Sequence, residues 1–534
     1  MKHRLLYVPI LLLFLLSFVD CAKKGAPSGG KKDSIPPVIV KSNPENYSTL
    51  FTGNEIKITF DEYIKLQDLQ KELIISPPLK YTPQITPLNA SKVLKIKILD
   101  TLKENTTYSF NFGNSITDNN EGNAYEYFKY VFSTGTFIDS LKLSGKVQDA
   151  QFIRPEQPTS LLLYEINELF KDSLVFTEKP TYITTSKDST STFEFTNLKE
   201  GSYLLLALKE ENSNYTFQPT KDKIGFVNSN ITIPRDSSYT VTLFKEDLPS
   251  KFGRPKHLAK NHIAFGFEGD SEGMSLELLS ETPDGFDSRT LKDLKTDTLH
   301  YWFKPEITLD SMVFIARNYS KVDTLNVRMR DLYRDTLRIS PINAGVLTPK
   351  DTFRIKANTP IINIASEKLQ VIDKDSLVIA AMLSLDTIYN QAKIIFTIEE
   401  DQAYKVHLLP GAFTDLYNTS NDTLKYAISS KPISDYGSLN MTLVNAPQTP
   451  IIVQFVDEKY KVLQEKHLTE NEPVLFDYIV PGKYYVRIVY DDNENGKWDS
   501  GNFLERRAPE KILYYPSKIE VNTNWSLNET FVLE

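Results

Sequence analysis

The sequence predicts an all-β protein, a tandem of β-sandwiches behind an N-terminal export signal. Past residue 36 helical periodicity is nearly absent. Short runs rich in Val, Ile, Thr, Tyr and Phe recur instead between Asn, Asp, Gly and Pro: EIKITF (55–60), VLKIKIL (93–99), TYSFNF (107–112), YVRIVY (485–490). At 534 residues the chain is too long for one core, and length alone suggests roughly three to five domains. A chain 40% hydrophobic, 24% charged and 11% aromatic is composed like a folded protein. A formal net charge of -8, with no basic stripe beyond the N-terminus, excludes nucleic acid as a partner class.

Lys2, His3 and Arg4 open the chain, and LLYVPILLLFLLSFV comes after them. About fifteen apolar residues are too few for a helix crossing a bilayer and suit the apolar core of a signal peptide, assigned to residues 1–20. Cys21, the single cysteine, comes next. It has no intramolecular disulfide partner, so the exported chain is held by its cores alone. A cysteine directly after such a segment resembles the lipobox of bacterial lipoproteins, whose thiol is acylated and becomes the mature N-terminus. Phe18 and Val19 fit that pattern; Asp20 stands where a small Gly, Ala or Ser is expected. The resemblance implies lipidation at Cys21 and a membrane as partner through the lipid. Residues 21–35, rich in Lys, Gly, Ser and Pro, form a solvated tether.

Turn clusters and repeats divide the remainder into units 1 to 5: residues 36–136, 138–246, 258–341, 343–431 and 433–534. Unit 1 carries Pro36-Pro37, Asn43-Pro44, Phe60-Asp61-Glu62, Tyr108 and Asp118. Together these resemble the bacterial Ig-like domain of the SbsA type, found at the start of Bacteroidota lipoproteins, and imply a seven-stranded sandwich. Its one helical candidate is LQDLQKEL (66–73), a single short turn; Asp61 and Glu62 are expected to end a strand or cap a turn. FTNLKEGSYLLLALKEENSNYTF (195–217) of unit 2 aligns without a gap on FDYIVPGKYYVRIVYDDNENGKW (476–498) of unit 5. Phe195, Gly201 and Tyr203 match Phe476, Gly482 and Tyr484 at a constant offset of 281. Aromatic, turn glycine, aliphatic strand and polar loop in that order resemble the prealbumin-like sandwich of carboxypeptidase regulatory domains, usually an accessory module. A weaker repeat joins unit 1 to unit 4: TYSFNFGNSITD resembles AYKVHLLPGAFTD (403–415) with one residue inserted, pairing Tyr108 with Tyr404 and Asp118 with Asp415. Unit 3 is an unassigned β domain. Sandwiches strung in line form an extended adhesive or scaffolding protein.

Catalytic patterns are few. GDSEG (269–273) matches G-x-S-x-G formally, but MSLELLSET after it alternates like a strand, whereas a nucleophile elbow at Ser271 needs a helix there. The six histidines (His3, His257, His262, His300, His407, His467) show no zinc-ligand spacing, and His257 and His262 read as solvated linker residues. Asp followed by Ser or Thr and an apolar residue recurs at Asp100, Asp139, Asp172, Asp297, Asp335 and Asp375. Such triplets close local turns; they also resemble O-glycosylation sites of exported Bacteroidota proteins, which would place sugar at Thr298, Thr324, Thr336 or Ser376.

DDNENGKWDSG (491–501) offers Asp491, Asn493, Asn495 and Asp499 at positions one, three, five and nine of a calcium loop, with Gly496 at the turn. Hard Ca²⁺ wants six to eight oxygens; two carboxylates, and Asn502 where a bidentate Glu is required, predict weak binding of about 10⁻⁴–10⁻³ M. The alternative is a plain loop joining two strands. Ca²⁺ is the one cofactor the sequence suggests. The whole reads as a non-catalytic, lipid-anchored, periplasm-facing outer-membrane protein with a structural or protein-interaction role. A glycan-binding module with an aromatic strip of Tyr484, Tyr485 and Trp498 is one alternative, a serine hydrolase using Ser271 the other.

Overall fold

The structure, a computed structural model, describes residues 33–533 except 188, 235–237, 270, 320, 448–449 and 471. The signal segment, Cys21 and the tether up to residue 32 lie outside the described residues. The chain is all-β, as the strand pattern predicts, with a helix of one turn at Leu69–Glu72 inside the expected span.

Units 2 and 5 have the same topology, strand for strand. In unit 2 a larger sheet orders Tyr182–Thr185, Ser160–Glu165, Gly201–Lys209 and Lys223–Phe226, with Ile231–Ile233 also on Gly201–Lys209. A smaller sheet orders Thr192–Leu198, Leu141–Asp149 and Ser238–Leu243. Unit 5 repeats both, as Val462–Leu468, Ile451–Asp457, Gly482–Tyr490 and Ile512–Tyr514 with Ile519–Val521, and as Val474–Ile479, Gly437–Val444 and Ser526–Val532. In each, the last strand runs parallel to the first. The shared residues explain the shared turns. Tyr203 Oη donates to Lys199 O at 2.9 Å and Tyr484 Oη to Val480 O at 2.6 Å. Gly201 and Gly482 leave room for those hydroxyls: a Cβ would stand 3.3 and 3.0 Å from them.

The difference between the copies lies on the outer face. Both faces of the larger sheet are covered in unit 2, so its two central strands carry unbroken apolar runs: Leu161, Leu163 and Leu205 face the sandwich core, and Leu162, Leu204 and Leu206 a second core outside it. In unit 5 the positions matching Leu204 and Leu206 are Tyr485 and Arg487.

Units 1 and 4 are likewise copies. Tyr108 Oη accepts Lys103 N–H at 2.9 Å and Tyr404 Oη accepts Glu399 N–H at 2.7 Å. Thr134 and Ser430 hydroxyls return to the carbonyls of those same two residues. Unit 1's long strand Glu55–Leu66 is divided in unit 4 into Phe353–Ala357 and Ile361–Ile364, interrupted by Thr359-Pro360, because proline cannot donate to a ladder. Asp61 lies within Glu55–Leu66 rather than ending it, and its carboxylate accepts Val38 N–H at 2.8 Å. Unit 3 is also a two-sheet sandwich, packed around Ile263, Phe265, Tyr301, Phe303 and Phe314.

The units are not simply strung in line. Unit 1 meets unit 2 through Lys129 Nζ to Thr196 Oγ1 at 2.7 Å and Ile183 N–H to Ser76 Oγ at 3.1 Å. Unit 3 meets unit 4 through Leu291, Trp302 and Leu416, with Tyr417 Oη reaching the carbonyls of Asn261 and Phe303, both at 3.3 Å. Lys350 pairs with Asp477 between units 4 and 5. Unit 5 then returns to unit 2, so units 2 to 5 form a closed circuit. Sequence periodicity carried no sign of this return, because it depends on single side chains in loops.

Candidate functional site

The loop after strand Gly482–Tyr490 takes its shape from the fold. Asp491 is 3% exposed and accepts Asn495 N–H at 3.0 Å and Gly496 N–H at 2.8 Å. Its counterpart Glu210 accepts Tyr215 N–H at 2.8 Å, the same bond five residues on. The backbone is left-handed at matching places: φ is 60° at Glu494 and 76° at Gly496, against 48° at Ser213 and 62° at Tyr215. A copy with neither the glycine nor the second aspartate thus forms the same turn.

Inside the loop the side chains satisfy one another. Asn493 and Asn495 both donate Nδ2 to Asp499 Oδ2, at 2.6 and 2.5 Å, while their Oδ1 atoms accept the amides of Asn495 and Lys497. Glu510, 8% exposed, accepts Asp492 N–H and Asp499 N–H, each at 2.9 Å, and Trp498 Nε1 donates to Glu510 O at 2.9 Å. Burial and then the charges of Asp499 and Asp491 push the Glu510 carboxyl up, against the pull of its two N–H donors. The structure therefore brings Asp491, Asn493, Asn495 and Asp499 together, but the two amides turn N–H toward Asp499, not oxygen. A cation there would require both to reverse and give up two backbone amides. Among the described residues no group of three or more His, Cys, Asp or Glu stands ready to hold a metal. Asn502 sits outside the loop and closes the next turn with Arg507. Glu510, the acid that does reach the loop, was invisible in the motif because strand pairing alone brings it back.

The residues after the loop bind unit 2. Phe503 is fully buried in the outer core of unit 2 beside Phe176 and Phe226, and Trp498 packs at the same core. Arg506 makes a two-pronged pair with Asp172, Nη2 to Oδ1 at 2.6 Å and Nε to Oδ2 at 3.1 Å, and lies 4.9 Å over the Phe503 ring. Ser500 Oγ donates to Lys245 O, and Phe503 N–H to Glu246 Oε1. At Gly501 a Cβ would fall 2.7 Å from the Phe244 ring, so only glycine lets the loop approach this closely. A second contact joins Phe152 to Tyr460, ring centres 5.0 Å apart, with Arg487 and Tyr514 donating to Gln151 O. The stretch is thus neither an isolated hairpin tip nor a free binding loop: it is the clasp between units 5 and 2.

The expected aromatic strip is not assembled. Adjacent strand residues face opposite sides: Tyr484 lies in the core of unit 5, Tyr485 stacks on Tyr460 outside it, and Trp498 is in the clasp. Ser271 sits in a turn between strands His262–Glu268 and Met274–Leu278, so the helix an elbow requires is missing; its carbonyl accepts Lys292 Nζ at 3.1 Å. His262 is not a solvated linker residue. It is buried on a strand, stacked 3.7 Å from Trp302, with Nε2 2.8 Å from His300 Nδ1. Burial first, then the neighbouring His300 and His257, push its pKa down to about 3. The triplet aspartates reach across the fold as well as locally: Asp100 accepts Tyr81 N–H at 2.9 Å, Asp139 accepts Thr107 Oγ1 at 2.8 Å, and Asp172 holds Arg506. Thr324, Thr336 and Ser376 are exposed and Thr298 is half-buried. No helix among the described residues is long and apolar enough to cross a membrane.

Comparison with known proteins adds a family for unit 1. The bacterial Ig-like domain family matches residues 33–134. Solved structures similar to this chain include surface-layer protein SbsC, domains 1–6 (11% identity, TM-score 0.15, covering 91% of this chain and 67% of that one). They also include BcpA, the major pilin subunit of Bacillus cereus (10% identity, TM-score 0.14, covering 73% and 99%). A titin tandem shows 10% identity and a TM-score of 0.13, covering 52% of this chain and 100% of that one. No curated protein matches the chain.

Proposed function

We propose that this chain is a non-catalytic, lipid-anchored protein of the bacterial cell envelope, with a structural or protein-interaction role. The clasp is the observation that carries the reading. The loop and the residues after it spend two aromatic side chains and a guanidinium group on fixing one sandwich to another, which is the chemistry of a scaffold. The Ig-like family match over unit 1 supports the same role.

Anchoring rests on Cys21 at the end of the apolar segment, and Lys23 and Lys24, where surface-exported Bacteroidota lipoproteins carry acidic residues, favour a periplasm-facing outer-membrane position. Expressed in its native envelope, Cys21→Ser is expected in the soluble fraction with its fold intact. A variant that stays with the membranes would remove the lipid anchor from the reading. Treatment with a fluorophosphonate probe is expected to leave Ser271 unlabelled; labelling lost in Ser271→Ala would instead make the protein a hydrolase.

A further inference from the structure

Unit 2 stands open along one side. Strands Lys223–Phe226 and Ser238–Leu243 each end their sheet. They meet where Ile224 and Phe244 exchange both backbone hydrogen bonds, at 2.9 and 2.8 Å. Gly225 passes so close that a Cβ there would stand 2.5 Å from Thr242 O. An antiparallel ladder continued from that pair would next join Phe226 to Thr242 and then Asn228 to Thr240. Among the described residues no such bond forms, and the strands part.

Alternation tells where the unused groups point. Val227 N–H donates to Leu205 O on the inner side, so Phe226 turns its own outward. Ala150 N–H donates to Leu243 O, so Thr240 and Thr242 face away from Leu141–Asp149. The gap between them is a cleft of about 590 Å³ whose far wall is residues 508–514 of unit 5. That wall is a third sheet edge. Tyr490 N–H donates to Lys511 O and Tyr515 N–H to Val486 O, which leaves Ile512 and Tyr514 facing away from their sheet.

Three sheet edges on one cleft present main-chain donors and acceptors that another main chain completes. We propose that the cleft between units 2 and 5 receives an extended peptide of a partner protein as an added strand, paired to the outward groups of Thr240, beyond the point where the two edges of unit 2 part, and facing the edge of Ile512 and Tyr514. The segment is about six residues long, matching the 6 residues of Ser238–Leu243. Its side chains alternate. Phe152, Phe244 and Tyr514 offer apolar seats and Asn228 an amide. Of the charged residues in the lining, Asp149 is paired with Lys223 at 3.0 Å, Glu510 accepts the amides of Asp492 and Asp499, and Lys511 lies over the Tyr490 ring, so an uncharged peptide is the one that fits. This names a partner chemistry for the interaction role and rests on that reading; membrane attachment is tested separately through Cys21, so either can fail alone.

An array of capped, uncharged hexapeptides alternating apolar and polar residues, probed with the full-length protein, tests the proposal. A subset is expected to bind saturably, to slow hydrogen exchange at Thr240, and to lose at least about tenfold in affinity when alternate peptide nitrogens are methylated. Thr240→Pro removes one outward N–H that no neighbouring strand uses, a change an edge strand tolerates. It is expected to weaken binding comparably while the melting temperature holds. An array without binders, binders indifferent to N-methylation, or protection elsewhere in the protein would overturn the proposal. So would soluble oligosaccharides that occupy the cleft of wild type and Thr240→Pro alike, which would assign it to sugar.

Discussion

The side chains that matter most here are those that a one-dimensional reading treats as filler. Arg506 and Asp172 are 334 residues apart and form a part-buried, two-pronged pair. Arg506→Ala is expected to cost about 1–3 kcal/mol, between an exposed pair and a buried one. A double-mutant cycle with Asp172→Asn measures the coupling, and additive losses would show that the pair contributes nothing specific. His262 gives a pH dependence whose sign is fixed. Its folded pKa, about 3, lies below the ordinary 6.5, and His300 is lowered in the same direction by burial, partly offset by Asp293. The unfolded chain therefore takes up protons first as pH falls, so the stability from these neutral imidazoles is present above about pH 6.5 and lost as pH drops toward 3. His257, Asp293 and Asp335 lie beside the pair, and Lys292, Lys295, Arg338 and Lys356 line the same cavity. Denaturant melts of His262→Phe are expected to show a flatter pH slope between those limits than wild type.

At the scale of an element, the loop 491–501 separates what a motif states from what a fold does. Its turn was legible in the sequence because the gapless copy at 210–217 has the same spacing of acid and turn. Its partners were not, since Glu510 and unit 2 reach it only through strand pairing and interface packing. A strip holding both Tyr484 and Tyr485 conflicts with the strand itself: period two alone puts neighbours on opposite faces. Two glycines make contrasting predictions. Gly496→Ala is expected to cost about 1 kcal/mol or less, since the matching Tyr215 already carries a side chain at a left-handed φ of 62°. Gly501→Ala drives a methyl against Phe244 and backbone and is expected to cost about 1–3 kcal/mol through overpacking. Equal melting temperatures for the two variants would contradict this account of the clasp. Because the loop satisfies its own polar groups, millimolar Ca²⁺ is expected to leave the melting temperature unchanged, and a rise of several degrees would show that the amides reverse to bind it.

For the whole molecule, fold class and repeats were readable because both live in local patterns, strand periodicity and aligned turns. The circuit of units 2 to 5 was not, because Phe503, Trp498 and Arg506 announce no partner in sequence. Opening the clasp should therefore change shape more than secondary structure. Small-angle scattering of Phe503→Asp combined with Arg506→Ala is expected to give a larger radius of gyration with unchanged far-ultraviolet dichroism. An unaltered radius would mean that other contacts hold unit 5 in place.

Parallel pairing of the first and last strands in units 2 and 5 has a mechanical meaning. A pull on the two ends of unit 5 drags Gly437–Val444 and Ser526–Val532 in opposite directions along their shared ladder of seven paired residues. Their hydrogen bonds are then loaded together, in shear, instead of being unzipped one at a time. The clasp adds a shortcut: tension entering through unit 1 passes from unit 2 directly into unit 5, and units 3 and 4 hang beside the load path as slack.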